Sequence, residues 1–222
     1  MIAFWHVYAV NNWYDVAAEQ LYALVRAGFP GPVRAHLTGS EVDALELRAL
    51  AGTFGLPVDV TRHPHNRFEY PTLAALKAHC DGAGGDERVL YFHTKNVTGK
   101  GLYYTKWRWA MTAAVVVPWR RRVAALDRYV SIGFCRKDGR MFAGNFWWAR
   151  GDWVRRLPIP VVSPDRFYYE SWLFSAPGMR GLSLVAEDAE PCQGAFYPAH
   201  GNPHERYIEH LVRPPGTDRE GP

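Results

Sequence analysis

Cysteine is scarce in this chain. The three residues, Cys80, Cys135 and Cys192, are odd in number, far apart, and include no Cys-x-x-Cys pair. That speaks against a disulfide framework and a thiolate zinc site, and suits a reducing compartment. Long hydrophobic runs are also missing: the longest, Ala113 to Trp119, is too short to span a bilayer. The N-terminus has neither a basic region nor a small-residue cleavage site, so a cytoplasmic protein without a transmembrane segment is expected. Lysine is rare, five residues against 21 arginines, and no basic run exceeds Arg120-Arg121-Arg122, which argues against nucleic acid as a partner. There is no P-loop, no G-x-G-x-x-G, no G-x-S-x-G and no H-E-x-x-H.

What is present belongs to a globular protein. With 222 residues, 48% of them hydrophobic, the chain can bury about 70% of its unfolded surface without disulfides or metal. The formal net charge of +4 suits an anionic small molecule.

Two periodicities alternate through the first 93 residues. Ile2 to Val10, Val33 to Leu37, Pro57 to Val60 and Arg88 to Phe92 read as strands. Between them Tyr14 to Ala27, a segment capped by Ser40, and Pro71 to Cys80 read as helices, the first stopped by Gly28. This order predicts an α/β fold, a mostly parallel central sheet flanked by helices. Further on, Leu102 to Tyr129 reads as helix broken at Pro118, and Val130 to Cys135 and Met141 to Ala149 as strands joined by Lys137-Asp138-Gly139. Asp152 to Leu157 and Asp165 to Ser175 follow as helices, then a strand from Gly181 to Ala186. The expected organisation is a single domain over 1–213 with a disordered, Pro- and Gly-rich tail at 214–222.

Ligands of such sheets bind beyond the carboxyl ends of the strands. Asn11-Asn12, the stretch from Arg62 to Arg67, and His93-Thr94-Lys95 fall there. The last is the sharpest: an apolar strand ends in an imidazole, a hydroxyl and an ammonium, groups that together suit a phosphate or diphosphate. The plain alternative is a solvated strand end. A second cluster, Gly144-Asn145-Phe146-Trp147-Trp148, joins a close-approach glycine to aromatic faces able to stack on a sugar; core packing is the competing reading, and alternation makes at least one tryptophan core. In the third, Arg166 to Leu173, Glu170 stands among aromatics, where lost hydration raises a carboxyl's pKa and prepares a general base. An Arg166–Glu170 pair one helical turn apart is the alternative. His63-Pro64-His65 and His200-x-x-x-His204 have two-ligand spacing, but their prolines and glycine break the helical geometry of a zinc site.

In this order the elements resemble the A-type glycosyltransferase fold. Tyr91-Phe92-His93-Thr94-Lys95 occupies the place of the Asp-x-Asp metal motif, Gly144 to Trp148 that of the acceptor strand, and Glu170-Ser171-Trp172-Leu173 that of the helix supplying the base. The same residues are similar to bacterial glycosyltransferase-like proteins and, more distantly, to the His-x-Lys segment of rhamnan-synthesis proteins. The resemblance implies a nucleotide-sugar donor held by Asn11, Arg62, His93, Thr94 and Lys95 in a nucleotide-binding half (1–95). A hydroxyl-bearing acceptor would lie beside Gly144, Asn145, Trp147 and Trp148 in an acceptor half (96–213). Glu170, or Asp165 as second choice, would be the catalytic base of an inverting transfer. The missing Asp-x-Asp implies that cationic side chains replace the metal; if His200 plays a C-terminal ligand role, a divalent cation, manganese or magnesium, returns. A non-catalytic nucleotide- or glycan-binding protein and a nucleotidyltransferase remain as alternatives.

Overall fold

The computed structural model describes residues 1–84, 86–98 and 102–185, Leu102 and Tyr103 by backbone alone. Three strand–helix units open the chain. They are β1 (Ile2–Tyr8) and α1 (Trp13–Arg26), β2 (Val33–Thr38) and α2 (Glu41–Thr53), and β3 (Val58–His63) and α3 (Tyr70–Gly82), followed by β4 (Arg88–His93). Local chemistry sets the boundaries. Gly28 turns the chain out of α1 with φ +59°, a conformation open to glycine. Ser40 caps α2 in a capping box, its hydroxyl accepting from the Asp43 N–H while the Asp43 carboxylate accepts from the Ser40 N–H.

The second half is less regular. α4 (Leu102–Met111) runs into a π-turn at Thr112–Val116, and Pro118 separates this from α5 (Trp119–Ala125). β5 (Ser131–Gly133), a hairpin of β6 (Arg136–Lys137) and β7 (Met141–Phe142), and β8 (Trp147–Arg150) follow. Then come α6 (Gly151–Arg156), α7 (Arg166–Ser171), a 3₁₀ turn at Trp172–Phe174 and β9 (Gly181–Ser183). The expected strand from Met141 to Ala149 is thus two strands in two sheets. Gly144 at φ +83° and Asn145 at φ +57° break its extended course. Asp138 and Gly139, both at positive φ, form the turn of the small hairpin.

Seven strands form the main sheet in the order β3-β2-β1-β4-β8-β5-β9; β8 alone runs antiparallel to its neighbours. Helices cover both faces. Adjacent aromatics therefore divide between two cores: Trp5, Phe92 and Trp148 pack on the α1 side, Phe4, Tyr91 and Trp147 on the α3 side. Among the described residues no helix is long and apolar enough to cross a membrane. Cys192, His200, His204 and the tail at 214–222 lie outside the described residues.

Candidate active site

The strand order reverses between β1 and β4, and a crevice is expected beyond the carboxyl ends of the strands there. A cleft of about 910 Å³ opens at that point. Its floor is the end of β1 (His6, Tyr8) and of β4 (His93, Thr94, Lys95), and its walls come from the segment before α3, from α4, from the β6–β7 hairpin and from α7.

Hydrogen bonds between distant elements shape the floor. Gln20 of α1 is buried, accepts from Trp5 Nε1 at 2.9 Å and donates to the His93 carbonyl at 2.8 Å. Thr94 Oγ1 accepts from the Tyr8 N–H at 2.9 Å. Asn11, at φ +51°, donates to the Val97 carbonyl at 2.7 Å, and Arg108, itself paired with Glu19 at 2.9 Å, donates to the Lys95 carbonyl. His93 Nε2 lies 2.9 Å from the Gly144 carbonyl, so this nitrogen carries the proton and donates. Burial and the nearby Lys95 charge hold the His93 pKa well below the usual range. The ring is neutral, and its other nitrogen is an acceptor rather than the phosphate donor expected from sequence.

The sequence-derived candidates divide. His93, Thr94, Lys95, Gly144 and Glu170 line the cleft. Asn145 lies behind its wall, 1% exposed. Trp147 and Trp148 are both core: Trp147 stacks on Tyr91 at 4.9 Å and donates to Asn145 Oδ1, and Trp148 donates to the Val115 carbonyl. Neither offers a face for a sugar. Asn11 acts on the cleft only through the loop it holds. Arg62 is paired with Glu41 at 2.6 Å and bonded to the Gly39 carbonyl, away from the cleft. Asp165 is exposed and caps α7 by accepting from the Phe167 N–H at 2.9 Å, outside the cleft lining. Arg166 lines the cleft over the Phe167 ring (4.9 Å) and forms no ion pair with Glu170 among the described residues.

Glu69 is the candidate residue that sequence reasoning missed. It lines the same cleft as Glu170, and burial, reinforced by the Glu170 charge, pushes its carboxyl up to about 7 despite its own backbone N–H, the Lys95 ammonium and the Asn145 amide, all of which oppose the rise. The only local signal was an acid at a helix start, since Glu69 precedes α3 with Pro71 in the first turn. Backbone strain marks the same rim: Phe68, Asn96 and Asp138, all cleft residues, have φ between +50° and +67°. At Gly144 a Cβ would lie 2.2 Å from Met111 Sδ.

In fold the chain is similar to the mannosyltransferase PcManGT from Pyrobaculum calidifontis, solved in complex with GDP-Man and Mn2+. The sequences are 15% identical and the TM-score is 0.50; the match covers 95% of this chain and 61% of that one, so the chain spans about three fifths of that enzyme's length. This is a glycosyltransferase-like fold. No curated protein matches the sequence. Among the described residues no group of three or more His, Cys, Asp or Glu is placed to hold a metal ion. The family described as Domain of unknown function (DUF8361) matches over residues 4–170, and the chain belongs to that family.

Proposed function

We propose that the protein is a glycosyltransferase that moves a sugar from a nucleotide-diphosphate sugar to a hydroxyl acceptor by an inverting, metal-independent displacement. The observation that supports this reading is one cleft, at the switch point of a glycosyltransferase-like sheet, holding both cationic side chains and a carboxylate. Lys95 and Arg166, with the Thr94 hydroxyl, hold the diphosphate and stabilise the charge that grows on it as it leaves. Glu170 takes the acceptor proton as the bond from the sugar's C1 to the acceptor oxygen forms and the bond to the phosphate oxygen breaks. Apart from Arg166, residues 1–95 of the domain serve the donor and 96–213 the acceptor, whose sugar lies beside Gly144.

The test is a transfer and hydrolysis assay over a panel of nucleotide sugars, read by mass spectrometry. Glu170→Gln should lower turnover about 10²–10⁴-fold while donor binding persists. A second reading, a non-catalytic nucleotide- or glycan-binding protein, draws support from the ammonium of Lys95 standing where the fold resemblance expects a metal-binding carboxylate. Donor binding without turnover under any condition decides for it.

A further inference from the structure

A buried hydroxyl and a buried amide nitrogen, neither in a well-formed hydrogen bond among the described residues, interact electrostatically with the same carboxyl. Tyr91 is 0% exposed, and its hydroxyl makes no hydrogen bond among the described residues. Both Glu69 and Glu170 act on it electrostatically. Asn145 uses its Oδ1 to accept from Trp147 Nε1 at 2.8 Å, which fixes the amide and turns Nδ2 to Glu69, outside hydrogen-bond geometry. Buried donors without acceptors are rare and need an explanation.

Glu69 lines the cleft, with its own backbone N–H beside its carboxyl. It stands at the N-cap of α3 yet makes no capping bond, and the residue before it, Phe68, is held at φ +50° with its N–H donating to Asn66 Oδ1 at 2.9 Å. The charged and titratable groups around it are Glu170 and Tyr169 of α7, Tyr91 of β4 and Lys95 beyond it. A charged Glu69 carboxylate is the strong acceptor that these two buried donors lack.

We infer that Glu69 and Glu170 act as one proton-holding unit: Glu170 takes the acceptor's proton and passes it to Glu69, and Tyr91 and Asn145 are positioning residues for the Glu69 carboxylate. The relay rests on the transfer reading above. As the C1–oxygen bond to the acceptor forms and the bond to the diphosphate breaks, the electron pair leaves with the phosphate. The acceptor's proton moves to the Glu170 carboxylate, then to charged Glu69, and from Glu69 through the open cleft to solvent.

The experiment is a ¹³C-carboxyl NMR titration of the glutamate-labelled full chain without substrate, beside a pH profile of transfer. One resonance should titrate near pH 7 and vanish in Glu69→Gln. Its midpoint should fall by about one pH unit or more in Glu170→Gln, where a like charge is removed, and rise in Tyr91→Phe, where a donor to the carboxylate is lost. The acid limb of the transfer profile should follow that midpoint in wild type and in Tyr91→Phe. No carboxyl titrating above about pH 5.5, or a midpoint indifferent to Glu170→Gln, overturns the unit. A coupled titration in a protein that transfers no sugar leaves the pair standing and sinks the transfer reading with its relay, so the two failures are distinguishable.

Discussion

Glu69→Gln should make the fold markedly more sensitive to acid, because in the wild type Glu69 offsets more than half of an opposing linkage. His6 and His36 are buried and neutral, 5% and 8% exposed; His6 Nδ1 sits 3.1 Å from Thr72 Oγ1, and His36 Nδ1 3.1 Å from His63 Nε2. Burial first, then neighbouring histidine charge, lowers them from 6.5 to about 3 and about 4. Below 6.5 the unfolded chain binds protons that the fold refuses, so stability falls with pH. From pH 7.5 to 5.0 each histidine removes roughly 2 kcal/mol, at 1.36 kcal/mol per pH unit. Glu69 works the other way: with its pKa raised from 4.5 to about 7, the fold keeps a proton that the unfolded chain has released. Its contribution is full below 4.5 and lost as pH rises to 7, so acidification restores roughly 2.5 kcal/mol. From these three groups alone the wild type should therefore lose about 1.5 kcal/mol over this range, and Glu69→Gln about 4. His63 and His79, both lowered by burial, push the two proteins alike. Urea unfolding followed by tryptophan fluorescence at the two pH values measures the difference. Equal losses in the two proteins would refute the Glu69 environment described here.

The remaining expectations concern ligands and backbone. Lys95→Ala should weaken nucleoside-diphosphate binding by about 1.5–3 kcal/mol in calorimetry, the range for hydrogen bonds to charged groups, while stability changes by less than about 1 kcal/mol. The stability allowance covers its ammonium lying 4.7 Å above the Trp107 ring. Gly144→Ala should destabilise by about 2–4 kcal/mol in urea melts, since it adds a Cβ at φ +83° against Met111. Transfer should persist in EDTA; loss restored by manganese would mean that a ligand set includes residues beyond those described.

The fold was legible wherever local chemistry decided it. Strand–helix alternation through Phe92, the Gly28 stop and the Ser40 cap each depend on a few neighbouring residues, and each has its expected form. The second half was harder because distant contacts decide there. The π-turn after α4 closes through the Val117 N–H on the Thr112 carbonyl at 3.0 Å, and Trp148, more than thirty residues on, takes the Val115 carbonyl. No helical period reports such a contact. The break at Gly144-Asn145 was likewise hidden, because apolar residues continue on both sides of it.

The site shows the same division more sharply. That ligands lie beyond strand ends nominated His93, Thr94 and Lys95, and all three line the cleft. Trp147 and Trp148 were nominated for faces that could stack on a sugar, with at least one expected in the core by alternation, which separates inside from outside only where one face of a sheet meets water. Here helices cover both faces, so both tryptophans are inside, one in each core. Asp165 looked like a spare acid, but its carboxylate serves the Phe167 N–H at the start of α7. Glu69 fell outside every cluster singled out in the sequence and stands at the N-cap of α3. It becomes unusual only when α7 brings Glu170 against it and β4 places the Tyr91 hydroxyl alongside. A residue whose chemistry is made by a partner about a hundred positions away carries no local mark, and the acids most visible in a sequence are often those already occupied by the backbone.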